Sequence, residues 1–169
     1  VLGTTSKRAE IKNVITAGII NADAPGVAGI AGKAQLANIT GCVNNAAITN
    51  VQNYTAGIVG WVYYGNAAVT IRNCSNHGAI NTVRAYVGGI MGQAGAGAAA
   101  SAATVIENCY NTATITANNY SGGITGEFTS SKAGSAKISN CYNTGAIETV
   151  AVFSGEDLML HKGTNYAGI

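Results

Sequence analysis

One phrase recurs along the chain, and its repetition constrains the fold more than any other feature. The stretch IRNCSNHGAINTVRAYVGGIMG, which opens at Ile71, is followed by IENCYNTATITANNYSGGITG, which opens at Ile106. Five copies align on an opening isoleucine, at Ile11, Ile39, Ile71, Ile106 and Ile138. The starts are 28, 32, 35 and 32 residues apart, a period typical of solenoids, in which each repeat is one structural unit.

The alignment places the same residue types in columns. A second isoleucine follows nine residues after the first, at Ile20, Ile48, Ile80, Ile115 and Ile147. The cysteine column, three residues after the opening, holds Val14, Cys42, Cys74, Cys109 and Cys141. The asparagine column, two residues further, holds Thr16, Asn44, Asn76, Asn111 and Asn143. The phrase Gly-Ile-x-Gly contributes Ile30, Ile58, Ile90 and Ile124, and an aromatic column holds Tyr54, Tyr86, Tyr120 and Phe153.

These columns predict an all-β fold, a right-handed parallel β-helix (β-solenoid) of four full coils and a partial fifth. Each copy offers three segments of strand length bounded by Gly, Asn and Thr, without a helical period. Stacking the copies places like residues above one another at about 4.8 Å and buries isoleucine on isoleucine. Asparagine can hydrogen-bond along the stack and tolerate left-handed backbone at a bend. The right-handed sense follows the crossover rule for parallel strands.

The copies differ in length between the Gly-Ile-x-Gly phrase and the next opening isoleucine. Variation at one site predicts loops on one side of a solenoid. We expect residues 11–155 to form the solenoid and residues 1–10 to form an N-terminal extension or cap. Residues 156–169 form a divergent tail, which we expect to cap the other end or to dock onto a neighbour.

The phrases VGGIMG, SGGITG, IENCYNTATIT and ISNCYNTGAIE resemble the GLUG motif, and the resemblance covers residues 11–155. It implies a repeat segment of a large secreted or cell-surface protein of bacteria or archaea, as in adhesin-like proteins and beside peptidase domains. It transfers no catalytic residue. The copies depart from the motif at Val14, where the family has Cys, and at Gly41, where Asn is expected. The fifth copy reads SGEDLMLHK where Gly-Gly-Ile should stand.

Composition and charge limit the expected partners. Only 9% of the residues are charged and the net charge is +2, so no nucleic-acid partner is indicated. The apolar runs are far shorter than the ~18 residues of a membrane helix, so we expect no membrane insertion. We expect no cofactor.

The cysteine column has two functional interpretations, a metal stack or disulfides between neighbouring coils. The cysteines are 32, 35 and 32 residues apart, without the paired spacing of a zinc site. Val14 shares their column, and an apolar residue can replace a buried thiol but cannot replace a ligand. We therefore expect small buried thiols and no metal, although the spacing of adjacent coils also permits disulfides.

The sequence contains no set of residues that predicts a catalytic site, and we expect the chain not to be an enzyme. His77 and His161 are far apart, and His77 shares its column with plain polar residues. A glycoside hydrolase or lyase needs a local cluster of carboxylates, whereas the 7 acidic residues are scattered. Glu107 follows Arg72 by one coil in the same column, which predicts a surface ion pair.

Aromatic residues are the candidate ligand contacts. Trp61, Tyr63 and Tyr64 cluster in a predicted loop after the second Gly-Ile-x-Gly phrase, and Tyr110 and Tyr142 share an outward column. Exposed aromatic rows can bind sugar rings or a protein partner. The alternative is that the rings only brace one another across neighbouring strands.

The sequence therefore favours a non-catalytic structural segment, a rigid rod of a secreted or cell-surface protein. One alternative is a self-assembling filament subunit that stacks end to end, because solenoid ends expose strand edges and apolar side chains. The other is an adhesin module that binds a glycan or protein of a host or matrix surface through its aromatic residues.

Overall fold

The described part of the chain is built from β-strands alone. The computed structural model describes residues 7–62, 68–94, 104–129, 136–150, 152–154, 157–161 and 166–167. All regular elements in these ranges are strands, and none of the residues lies in a helix that could span a membrane. The prediction of an all-β fold is confirmed.

Each of the first four coils contains five short strands. The first coil holds β1 (Ala9–Lys12), β2 (Ile15–Thr16), β3 (Ile19–Ala22), β4 (Val27–Ala28) and β5 (Ala31–Ala34). The second coil holds β6 (Leu36–Thr40), β7 (Val43–Asn44), β8 (Ala47–Asn50), β9 (Thr55–Ala56) and β10 (Val59–Val62). The third coil holds β11 (Ala68–Arg72), β12 (Ser75–Asn76), β13 (Ile80–Thr82), β14 (Ala85–Gly88) and β15 (Met91–Ala94).

The fourth and fifth coils continue this order. The fourth holds β16 (Thr104–Glu107), β17 (Tyr110–Asn111), β18 (Ile115–Ala117), β19 (Asn119–Gly122) and β20 (Thr125–Phe128). The fifth holds β21 (Ala136–Ser139), β22 (Tyr142–Asn143), β23 (Ile147–Thr149), β24 (Val152–Ser154), β25 (Asp157–His161) and β26 (Tyr166–Ala167). The sequence showed three strand-length segments per copy, because strands of two residues are too short to leave a period of their own.

Strands of successive coils pair in parallel and form five sheets. Sheet 1 is β1-β6-β11-β16-β21, sheet 2 is β2-β7-β12-β17-β22, sheet 3 is β3-β8-β13-β18-β23, sheet 4 is β4-β9-β14-β19-β26 and sheet 5 is β5-β10-β15-β20. The opening isoleucines are direct partners, from Ile11 through Ile39, Ile71 and Ile106 to Ile138. Sheet 5 has strands from the first four coils in the described ranges, which confirms a parallel β-helix of four full coils and a partial fifth. The right-handed sense stays a prediction.

Length also varies at a second place, which the repeat alignment missed. In the fifth coil, β24 and β25 form an antiparallel hairpin inserted between β23 and β26. β26 then pairs with β19 and so occupies sheet 4, beyond the expected end of the solenoid at residue 155. The sequence YAGI at 166–169 repeats TAGI at 55–58. The phrase that the fifth copy lacks at the expected position is therefore present later in the sequence, displaced by the hairpin.

The interior is filled by side chains that stack from coil to coil. The larger core cluster contains the opening isoleucines of the three inner coils, the inner cysteines and the isoleucines of the Gly-Ile-x-Gly phrases. A second cluster contains Ile48, Ile80 and Ile115, which are partners across sheet 3. In the isoleucine and cysteine columns, each inner level repeats the residue of the level below, so side chains of equal size meet there.

Candidate functional site

The asparagine column forms a continuous hydrogen-bonded ladder inside the solenoid. Each amide nitrogen donates at 2.7 Å to the amide oxygen of the next coil, from Asn44 to Asn76, from Asn76 to Asn111 and from Asn111 to Asn143. Thr16 begins the ladder, because its Oγ1 donates to Asn44 Oδ1 at 2.7 Å. The same nitrogens also donate to the backbone carbonyl two residues later. Buried amides are thus satisfied by one another and by their own turns.

The Gly-Ile-x-Gly phrase packs directly on this ladder. A Cβ on its first glycine would overlap the asparagine of the next coil, as in the pairs Gly29 with Asn44, Gly57 with Asn76, Gly89 with Asn111 and Gly123 with Asn143. In the described ranges, the glycines with positive φ are Gly18, Gly26 and Gly41, so these four are not required by their backbone angle. Close approach of the backbone to the ladder is what excludes a side chain there.

The cysteine column is a stack of free thiols. Cys42, Cys74 and Cys109 are fully buried, and Cys141 is half-buried. The thiols of Cys74 and Cys109 donate to backbone carbonyls at 3.1 and 3.2 Å. Burial raises the pKa of Cys42, and a hydrogen bond with Cys74 together with burial raises the pKa of Cys109. The hydrogen bond with Cys109 lowers the pKa of Cys74. The protonated thiol is therefore favoured at Cys42 and Cys109, where it is a poor metal ligand and a poor nucleophile.

Members of the columns in the end coils are less buried than those of the inner coils. Val14 is 39% exposed, because it has a described neighbour from its column on one side only. Ile20, Ile30 and Ile147 are half-buried. The corresponding isoleucines of the inner coils are buried, namely Ile48, Ile58, Ile80, Ile90, Ile115 and Ile124.

Four aromatic rings form one stack along the solenoid, which we call the aromatic row. The ring centroid of Tyr54 lies 4.5 Å from that of Trp61 and 5.2 Å from that of Tyr86. Tyr86 in turn lies 4.9 Å from Tyr120, with an interplanar angle of 11°. Lys33 Nζ lies 5.1 Å from the Trp61 ring centroid, a cation–π distance. All five side chains are half-buried.

The faces of the inner rings are already occupied. Tyr54 is stacked between Trp61 and Tyr86, and Tyr86 is stacked between Tyr54 and Tyr120. A sugar ring binds an aromatic side chain through an open ring face, whereas this stack uses the faces for contacts between coils. The arrangement therefore acts first as a brace along the solenoid.

Trp61 does not lie in a loop as the sequence predicted. It belongs to β10, where Val59 and Val62 are buried and the indole is half-buried against Tyr54. The prediction was wrong because the strand continues past the Gly-Ile-x-Gly phrase. The two candidates beside it, Tyr63 and Tyr64, lie outside the described residues.

Tyr110 and Tyr142 form a second, smaller stack on sheet 2. Their ring centroids are 5.1 Å apart and the rings are almost parallel, at 3°. His77 packs edge-on against Tyr110, and its Nδ1 lies 2.7 Å from Thr112 Oγ1. Tyr142 is 52% exposed, so the stack of Tyr110 and Tyr142 ends in an accessible ring.

The titratable groups are spread over the described surface. Each carboxylate whose side chain the structure describes contacts a different polar or basic side chain. The pairs are Glu10 with Lys12, Asp23 with Gln52, Glu107 with Arg72, Glu127 with Gln93 and Glu148 with Thr116. The predicted ion pair between Arg72 and Glu107 is confirmed, at 2.9 Å. In the described ranges, no group of three or more His, Cys, Asp or Glu side chains is placed to hold a metal ion. A pair of carboxylates in the geometry of a hydrolase is not formed by these contacts.

Sequence reasoning identified the column of Tyr54, Tyr86 and Tyr120 but did not place it among the candidate contacts. It also missed Lys33, which is the register partner of Trp61 one coil earlier. The pairing of Lys33 with Trp61 was predictable from the repeat. The contact between Trp61 in sheet 5 and Tyr54, which directly precedes β9 of sheet 4, depends on the bend of the chain between these two sheets. The repeat period carries no signal for that bend.

Comparison with known proteins agrees with this architecture. The family model of the GLUG motif matches residues 84–116. The chain is similar to a crystal structure described as a putative immunoglobulin A1 protease from Bacteroides ovatus, with 23% sequence identity and a TM-score of 0.62. The match covers 98% of this chain and 50% of that chain, so this chain spans half its length. No curated protein sequence matches the chain. The chain is therefore a parallel β-solenoid that carries the GLUG motif.

Proposed function

We propose that the chain is a non-catalytic structural segment, a rigid spacer in a secreted or cell-surface, adhesin-like protein. The observation that carries this proposal is the continuity of the interior ladders. Asparagine amides bond from coil to coil at 2.7 Å, and isoleucines and cysteines are buried on their equivalents throughout the inner coils. Because each level fixes the next through backbone and side-chain contacts, the stack resists bending.

The secreted or surface location is supported by the GLUG motif and by the likeness to a protein described as a putative protease of immunoglobulin A1, a substrate found outside cells. The full burial of Cys42, Cys74 and Cys109 suits this location, because thiols without access to solvent resist oxidation. An antibody raised against the purified chain should label intact producing cells or their medium. Labelling that requires permeabilised cells would contradict the location.

The non-catalytic role can be tested with immunoglobulin A1, the substrate named in the description of the similar structure. We expect purified chain, incubated with immunoglobulin A1, to leave the heavy chain intact on a denaturing gel. A commercial protease that cuts the same antibody serves as the positive control. Cleavage by the chain, lost after mutation of a single residue, would overturn the structural assignment.

A second candidate function is binding of a glycan or protein through aromatic side chains. The observation in its favour is Tyr142, an accessible ring at the end of a stack. The closed faces of the aromatic row favour the structural role instead. A glycan array separates the two roles, with Tyr142→Ala as the matched variant. Binding that this variant abolishes would favour the adhesin, whereas an array without bound glycans would favour the spacer.

A further inference from the structure

Among the described residues, no strand covers the outer edge of the first coil or of the last coil. At the N-terminal end, the interior residue Val14 is 39% exposed and Ile20 is half-buried, although their equivalents in the inner coils are buried, and the outward-facing Ile15 is 68% exposed. At the C-terminal end, Cys141 and Ile147 are half-buried, although their equivalents in the inner coils are buried. In the described part, β1, β2 and β3 pair on one side only, as do β21, β22 and β23 at the opposite end. In the described ranges, each end therefore presents unpaired strand edges around interior side chains that are less buried than their equivalents in the inner coils.

The asparagine ladder gives these ends a direction. Inside the stack, each amide nitrogen has two acceptors, the carbonyl of its own turn and the asparagine of the next coil. At the last described level, the nitrogen of Asn143 donates to the Gly145 carbonyl, which leaves its second N–H directed along the ladder. At the first level, Thr16 Oγ1 uses its hydrogen on Asn44 and keeps a lone pair as an acceptor. One end offers a donor and the other end offers an acceptor.

Charges at the two ends are also complementary. Glu10 and Lys137 occupy the first and last levels of one column, which runs through Asn38, Thr70 and Val105. Both side chains are exposed. If the column continued into a second copy, Lys137 of one chain would stand one level from Glu10 of the next. The exposed Tyr142 would likewise meet the exposed Ile15, which begins its column.

From these observations we propose that the C-terminal coil binds the N-terminal coil of a second copy of this chain, in register and head to tail. Asn143 of one copy then donates to Thr16 of the next, and Cys141, Ile147 and Lys137 stand over Val14, Ile20 and Glu10. A head-to-head contact would face two acceptors and a tail-to-tail contact would face two donors, so the ladder favours one orientation. Because this contact does not close, copies add into a filament. The interface rests on the proposed structural role, since only a rod adds copies along its axis.

A cross-link across the predicted interface tests both contact and direction. In the proposed contact, the backbone of residue 14 lies one strand spacing, about 4.8 Å, from that of Cys141 of the next copy, so Val14→Cys brings two thiols together, whereas four coil spacings, about 19 Å, separate the two positions within one chain. A short bifunctional thiol reagent should give a series of covalent multimers, whose cross-linked peptide joins residue 14 to residue 141. The same variant with Cys141→Ala should give none. Multimers joined through residue 14 of both copies would overturn the proposal.

Charge reversal tests the same interface without a cross-link. In sedimentation at low salt, Lys137→Glu should weaken self-association about two- to fivefold, and adding Glu10→Lys should restore it. Arg84→Glu, an exposed charge in the third coil, should leave self-association unchanged. Circular dichroism of the same samples separates the two proposals. A folded chain that stays monomeric at every concentration overturns the interface and leaves the spacer role, whereas an unfolded chain overturns both.

Discussion

At the scale of single residues, the sequence predicted that one asparagine column would both hydrogen-bond along the stack and adopt left-handed backbone, but the structure gives these two roles to two different columns. The ladder asparagines, such as Asn76, bond along the axis without positive φ. The left-handed bend lies three residues earlier, where Asn13, Asn73, Asn108 and Asn140 have φ of 52–56° and Gly41 has φ of 65°. Glycine and asparagine are the residues that tolerate this conformation best. The departure at Gly41 from the motif therefore preserves the backbone requirement.

The ladder should be sensitive to loss of a single amide. Asn76→Ala leaves Asn44 Nδ2 and Asn111 Oδ1 without the partners they have at 2.7 Å. We expect the free energy of unfolding to fall by about 2–4 kcal/mol, because buried groups lose their hydrogen bonds. Urea denaturation measures the change. Asn81→Ala, on the exposed side of β13, is the control and should change stability by less than about 0.5 kcal/mol.

The first glycine of the Gly-Ile-x-Gly phrase should not accept a methyl group. The Cβ of Gly89→Ala would overlap Asn111 and the carbonyl of Gly123, and both belong to rigid levels of the stack. We expect a loss of about 2–3 kcal/mol from overpacking. Gly18→Ala meets no atom within 4 Å, so its loss of about 1–2 kcal/mol should come from its positive φ alone. Equal losses for the two variants would contradict the packing explanation.

The thiols of Cys42 and Cys109 should make the fold weaker in alkali, whereas the lowered pKa of Cys74 acts in the opposite direction. Because the folded-state pKa of Cys109 is raised above the ordinary value of 9.0, the folded chain holds its proton at a pH where the unfolded chain releases it. Stability from this group is complete below about pH 9 and falls as the pH rises further, by up to about 1.4 kcal/mol per pH unit. Cys109→Val keeps an apolar side chain, as Val14 does in the same column. Its stability between pH 9 and 11 should fall less steeply than that of the unmodified chain, measured by urea denaturation.

At the scale of elements, the aromatic row holds bulky residues in an unusual backbone conformation. Tyr54, Tyr86 and Tyr120 have φ of 69°, 64° and 45°. Positive φ is unfavourable for such residues, so the surrounding structure has to offset the strain. Stacking of each ring on its neighbours provides a compensating interaction in the three coils that carry a tyrosine at this bend, whereas the first coil has Gly26 there, with φ of 80°.

Removal of an inner ring should therefore destabilise more than removal of an end ring. Tyr86→Ala loses stacking against both Tyr54 and Tyr120, while the strain at positive φ remains. We expect a loss of about 1–3 kcal/mol in thermal or urea unfolding. Tyr142→Ala removes one stacking contact from an exposed ring and should cost less than about 1 kcal/mol. A larger loss at Tyr142 would show that the inner stack does not brace the coils.

At the scale of the whole molecule, the coil is the unit of stability. Each coil contacts its two neighbours through the same columns, so levels are interchangeable when their register is kept. Deletion of residues 71–105 removes one full period and brings Asn44 under Asn111. We expect the shortened chain to fold, with its length in X-ray scattering reduced by about 5 Å. Deletion of residues 71–88 removes part of a coil and should abolish cooperative unfolding, because the remaining strands lose their register.

The sequence by itself determined which residues stack along the axis. A solenoid repeats its structure at each turn, so residues aligned in the text, such as Ile48, Ile80 and Ile115, become register partners in space. The same alignment anticipated the hydrogen bonds between ladder asparagines and the ion pair of Arg72 with Glu107. These contacts need no knowledge of how the wall of the coil bends.

Contacts between residues of different columns were decided by the tertiary structure. The stacking of Trp61 on Tyr54 and the packing of Gly89 against Asn111 depend on the angles between sheets. Those angles arise from the packing of unlike side chains across the interior, which follows no period. The repeat fixed the neighbours above and below each residue, whereas neighbours across the coil were set only when the five sheets closed around their common core.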